Sequence, residues 1–182
     1  MKYYTMIGSR LTPVHCEDLM KRLSHELCRL HYTVRSGGAN GADTCAEYGF
    51  TNLNSDLHEV YLPWSGFNNK SGIVYSKLGL INEASELCSK HHLWWNTVKK
   101  ESVKHLHRRN MHQVLGKDLI TPSQFCILYA EPDTNRGEGH VKGGTGSANS
   151  LCLEQGVPVY NLYYDDVYSK LLNWVIRQEQ GS

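Results

Sequence analysis

Short runs of β-forming residues alternate with longer stretches of helical periodicity along this chain of 182 residues, and that alternation restricts the architecture more than any other feature. Repeated β-α units lay down a mainly parallel sheet with helices on both faces. The expected class is α/β: a Rossmann-like open, mainly parallel sheet of about five or more strands, in one domain covering residues 1–182. Strands are read at Lys2 to Ile7, Thr33 to Arg35, Glu59 to Leu62, Phe125 to Ala130 and Val157 to Leu162. Helices are read at Val14 to His31, Asp43 to Phe50, Val74 to His91, Thr97 to Leu115, from the Gly143 turn through Gln155, and at Asp166 to Gln178. Leu19, Leu23, Leu27 and Leu30 form one apolar stripe on the first helix. Trp64 to Gly72 reads as an exposed loop able to cover a site, and Glu131 to Lys142 as a second polar loop.

Charge is nearly balanced, 19 Lys+Arg against 18 Asp+Glu, so the surface as a whole gives little attraction for nucleic acid or anionic lipid. No apolar run approaches the roughly 18 to 20 residues that span a bilayer, and the first residues lack a signal-peptide core. A cytoplasmic protein with no membrane partner is expected. Six cysteines without a CxxC pair and ten histidines without HExxH spacing point to no metal, and no resident cofactor is expected either.

Three glycine-containing turns each follow a strand: Gly8-Ser9-Arg10, Ser36-Gly37-Gly38 and Gly143-Gly144-Thr145-Gly146. In a parallel open sheet the carboxyl ends of the strands share one edge, so the three turns should converge on one crevice. Glycine lets the backbone approach a ligand, and the N–H groups opening the next helix carry partial positive charge suited to phosphate. Neither GxGxxG after the first strand nor a Walker GK[ST] is present, which lowers hydride transfer and nucleoside-triphosphate hydrolysis in rank.

These motifs, in order with Thr12-Pro13, Asn40-Gly41-Ala42-Asp43, Leu62-Pro63-Trp64, Arg109-Asn110 and Gln113-Val114-Leu115-Gly116, resemble the SLOG superfamily of DNA-processing-protein-A-like and Lonely-Guy-like Rossmann proteins. The likeness covers nearly the whole chain and is greatest to the small stand-alone members common in bacteriophages. It implies a nucleotide or nucleotide-derived ligand held by Gly8, Ser9, Arg10, Ser36, Gly37, Gly38, Gly143, Gly144, Thr145 and Gly146. Arg109 and Asn110 fall where the superfamily places an Arg-Asn or Arg-Lys pair beside the ligand, and a guanidinium suits phosphate. It also implies a homo-oligomer, and in a phage a protein that sequesters a host immune nucleotide signal.

Two other activities occur in the superfamily: release of a base from a nucleotide by an N-glycosidase, and binding of single-stranded DNA. Lonely-Guy-type enzymes carry PGGxGTxxE, and Ser150 stands here where their glutamate would. Glu47 and Asp43, one helical turn apart near the second glycine turn, are the substitute catalytic carboxylates. Their plainer readings are a solvent-facing helix acid and an acid favoured by the helix dipole. For DNA, Lys99 to Arg109 supplies five basic residues interleaved with His105 and His107, equally readable as a solvated helix face. Trp64 is the aromatic expected to stack on a base, and His140 the histidine expected nearest the ligand.

Overall fold

Tyr4 and Met6 pack on one side of the first strand and Ile7 on the other, so this strand is buried on both faces and lies at the centre of its sheet. The computed structural model describes residues 1–181. Six strands, β1 (Lys2–Gly8), β2 (Tyr32–Ser36), β3 (His58–Leu62), β4 (Ile73–Val74), β5 (Cys126–Tyr129) and β6 (Val159–Asn161), form one sheet in the order β4-β3-β2-β1-β5-β6. Every pairing is parallel. Six helices flank it: α1 (Val14–Arg29), α2 (Ala42–Asn52), α3 (Ile81–His91), α4 (Glu101–Leu115), α5 (Gly146–Glu154) and α6 (Asp165–Gln180).

The apolar stripes decide which helix covers which face. Leu19, Leu23 and Leu27 of α1 pack with Ala42, Cys45 and Ala46 of α2 and Val175 of α6 against Tyr4 and Met6. On the opposite face Cys88 of α3, Met111 and Val114 of α4, and Leu151 of α5 pack against Ile7 and Leu128. The chain steps from β1 out to β4, then recrosses through α3 and α4 to set β5 on the free side of β1. This reversal opens a crevice beyond the carboxyl ends of β1 and β5, the place where open α/β sheets bind ligands.

Several boundaries differ from the sequence reading, α4 beginning at Glu101 rather than at Thr97. Val74 to Leu78 is not helical: Ile73 and Val74 pair with β3 as a sixth, edge strand, and Tyr75–Leu78 is a 3-10 turn. Tyr75 is fully buried and its hydroxyl meets His105 Nδ1 at 2.5 Å, which fixes this segment inward. Gly79 then breaks the chain with φ of +77°, a left-handed conformation open to glycine. The segment expected as an exposed loop also carries structure, because Phe67 in a short 3-10 turn is buried against Val60 and Leu62. Leu30 falls just past the end of α1 and is 42% exposed. Among the described residues no helix is long and apolar enough to cross a membrane.

Candidate functional site

At the switch point a cleft of about 680 Å³ is lined by Gly8, Ser9 and Arg10 after β1 and by Gly143, Gly144 and Thr145 before α5. These two turns come from opposite ends of the sequence and meet because β1 and β5 are neighbours in register, Gly8 beside Tyr129. Ala130 and Glu131 continue the wall from β5, and α4 closes the third side. Val103, Leu106, His107 and Asn110 of α4 line the cleft at three- and four-residue spacing, so one helical stripe faces it. The volume lies within the range of small-molecule sites.

Gly143–Thr145 is a 3-10 turn running directly into α5. The Gly146 amide that opens α5 donates back to the Gly143 carbonyl, and the turn sits at the positive end of the helix dipole. A Cβ built on Gly143 or Gly144 would meet nothing within 4 Å, so the backbone here is open to an incoming group. Asn110 holds the turn from α4 by donating from Nδ2 to the Gly144 carbonyl at 2.9 Å. Asn110 is 6% exposed, and its Oδ1 is buried without a partner among the described residues.

The turn at Ser36-Gly37-Gly38 is occupied from within. Arg109 of α4 reaches across to Asp43 of α2, Nη1 to Oδ2 at 3.1 Å, and both side chains are buried. A Cβ on Gly37 would lie 1.2 Å from that Nη1. Asp43 Oδ2 also accepts from the Ala39 amide at 3.2 Å, while Asn68 donates to the Gly38 carbonyl at 3.0 Å. Ser36 is fully buried. Asp43 and Arg109 border the cleft and are joined through Nη1 and Oδ2, while Asp43 Oδ1 and Arg109 Nε are buried with no partner among the described residues. Burial pushes the Asp43 carboxyl up and the Arg109 guanidinium down, each against the attraction of its partner; the guanidinium stays protonated at neutral pH.

Glu47 lies outside the cleft, in an ion pair with Lys70 that ties α2 to the 3-10 turn after β3. Burial raises its carboxyl against the pull of that ammonium. Trp64 is 39% exposed, stands edge-on to Phe67 at 5.2 Å, and is likewise outside. His140 lines neither this cleft nor its neighbour; its Nδ1 is buried and unpaired. Gly146 borders a second cleft of about 300 Å³ on the far side of the same turn. Ser150 faces α3, where its hydroxyl meets His91 Nδ1 at 3.1 Å. Along the basic helix, Arg108 is paired with Glu101 and donates to Ser85, and Lys104 lies over the Trp95 ring.

The cleft charges cancel in pairs, Arg109 with Asp43 and Lys142 with Glu131 at 2.7 Å, leaving Arg10 without an ion pair among the described residues. The remaining field is positive, from Arg10 and the start of α5. His107, unremarked by sequence reasoning except as part of a basic segment, sits in the wall between the two clefts. Its Nδ1 meets Ser147 Oγ at 3.0 Å and its ring lies 4.2 Å from that of His92. Burial, with His92 and Arg109 adding to it, holds its imidazole down at about 4, so it is neutral at pH 7. The signal that finds it is its place in the Val103, Leu106, Asn110 stripe.

No family model matches the chain, and no curated protein sequence matches it. Among solved structures it is similar to DNA processing protein A from Helicobacter pylori, from a study of that protein's single-stranded DNA binding mode. The identity is 13%, over 99% of this chain and 81% of that one, with a TM-score of 0.39.

Proposed function

We propose that the switch-point cleft binds the phosphate of a nucleotide or nucleotide-derived small molecule and holds it without turnover. The observation that carries this reading is the meeting of Gly8–Arg10 with Gly143–Thr145 around one cleft in which Arg10 has no ion pair among the described residues. The Gly143–Thr145 turn that leads into α5 and the Arg10 guanidinium supply donors and charge. Asn110 keeps the Gly144 backbone in place.

Binding is favoured over hydrolysis because the acids bordering the cleft are engaged. Cleaving a glycosidic bond needs a carboxylate free to stabilise an oxocarbenium-like centre or activate water. Asp43 is spent on Arg109, Glu131 on Lys142, and Glu47 stands away from the cleft with Lys70. Capture without chemistry suits sequestration; in a bacteriophage, which the sequence resemblance implies, the captured molecule would be a host nucleotide signal.

Calorimetric titration with nucleoside mono- and diphosphates tests the reading, with chromatography of the recovered ligand. Gly144→Asp is the decisive variant, because its Cβ enters open space while its carboxylate opposes the anion. The expectation is saturable binding, intact ligand, at least a tenfold loss in the variant and an unchanged melting temperature. Absence of binding by wild type, or equal binding by the variant, would overturn the phosphate assignment; stoichiometric release of free base would replace binding with hydrolysis.

A further inference from the structure

The glycine turn that receives the phosphate in the reading above is a shared wall. On its far side the second cleft, of about 300 Å³, lies between the end of α3, residues Asp133 to Arg136, and the start of α5. Gly143 and Gly144 border both clefts, and neither has a side chain to raise the wall. A molecule anchored at Gly143 and Gly144 can therefore extend across the turn.

The chemistry of the second cleft differs from that of the first. Trp94 lines it, is 68% exposed, and stacks on no other ring among the described residues, whereas Trp95 is buried in the core. The Trp94 amide donates to His92 Nδ1 at 3.2 Å, which fixes the backbone carrying the indole. His107, only 7% exposed, presents an Nε2 that has no partner among the described residues, while its Nδ1 is held by Ser147. Arg136 and Lys142 complete the lining, with Arg136 Nη2 resting 3.4 Å from the His91 carbonyl. A free aromatic face beside a neutral imidazole and a guanidinium matches a flat heteroaromatic ring that carries hydrogen-bonding edges.

We propose that this second cleft is the base subsite of the same ligand, with Trp94 as the stacking platform and His107 Nε2 hydrogen-bonding the base or sugar that crosses Gly143–Gly144. The inference rests on the phosphate reading and narrows it to a nucleoside phosphate of mononucleotide size. It also makes Trp94, rather than Trp64, the aromatic in contact with the base.

The test is a titration of wild type, Trp94→Ala and Trp94→Phe with AMP, UMP, ribose 5-phosphate and a single-stranded oligothymidylate. A base stack lost at Trp94→Ala should weaken AMP and UMP about 5- to 150-fold, with Trp94→Phe restoring most of it. Ribose 5-phosphate, which has no base, should bind all three proteins alike. The ring is mostly in solvent, so both variants should keep the wild-type melting temperature. Should Trp94→Ala bind the mononucleotides as well as wild type does, the base subsite is wrong and the phosphate site stands. Should wild type bind none of the phosphates, both fall. Tight binding of the oligonucleotide with no binding of mononucleotides would reassign the surface to strands and overturn the proposal.

Discussion

The guanidinium of Arg109 lies against the backbone of Gly37 so closely that a Cβ there would be 1.2 Å from its Nη1. The second glycine turn is thus glycine because an arginine 72 positions later occupies its surface and pairs with Asp43. This contact predicts strong coupling. Gly37→Ala should destabilise the protein by about 3 kcal/mol, as overpacking at its upper range does. In an Arg109→Ala background the same change should cost much less, because the guanidinium has gone and only the Asp43 carboxylate, 2.8 Å from that Cβ, has to shift. Urea denaturation of the four proteins in the cycle measures it; additivity within about 0.5 kcal/mol would contradict the contact.

Removing one member of the buried pair leaves the other charge without compensation. Asp43→Asn should therefore cost about 3 to 5 kcal/mol of stability. Its midpoint of denaturation should fall well below that of wild type. A loss under about 1 kcal/mol would mean that Arg109 finds another acceptor.

His107 makes stability acid-sensitive. The unfolded chain takes up a proton near the ordinary value of 6.5, while the folded imidazole resists until about 4. Between those values the unfolded state binds more protons, so stability is full above about pH 6.5 and declines as pH falls toward 4. At about 1.4 kcal/mol per pKa unit the decline due to this residue is about 3 kcal/mol. His91, His92 and His112 are depressed by burial in the same direction, so His107→Gln should flatten the pH dependence without abolishing it. Melting temperatures at pH 7 and pH 5 for both proteins check the sign and size.

Glu47 offers a contrast. Its carboxylate is paired with Lys70 outside the cleft. Glu47→Gln should leave nucleotide affinity within about twofold of wild type, because the partly buried Glu47–Lys70 pair touches no residue of the cleft wall that meets the ligand. A tenfold or larger change in a titration would place Glu47 in the binding machinery.

How far the sequence discloses this molecule varies from residue to residue. β1, β5 and the stripe of α1 are plain because strands buried on both faces read as apolar runs and a helix packed on them keeps its three- and four-residue spacing. Val74 to Leu78 continues a helical pattern, yet Tyr75 is drawn inward by His105, a partner 30 positions away that periodicity does not reveal. The three glycine turns look alike in sequence. Only Gly143 and Gly144 are open; Gly8 is crowded by Tyr129 and Ala42 and Gly37 is covered by Arg109, distinctions set by tertiary packing alone. His107 hides among Lys104, Arg108 and Arg109, although its helical register with Val103, Leu106 and Asn110 already points to the cleft.

The central claim, that two distant turns hold one anion, is tested most directly by amide-resolved nuclear magnetic resonance during titration with AMP. The account predicts that the backbone amides of Arg10, Gly143, Gly144 and Thr145 shift together along one binding isotherm, while Ser9, whose amide is bonded to the Tyr129 carbonyl, Gly37 and Gly38 move little. Shifts confined to one turn, or isotherms with different midpoints at the two, would contradict it.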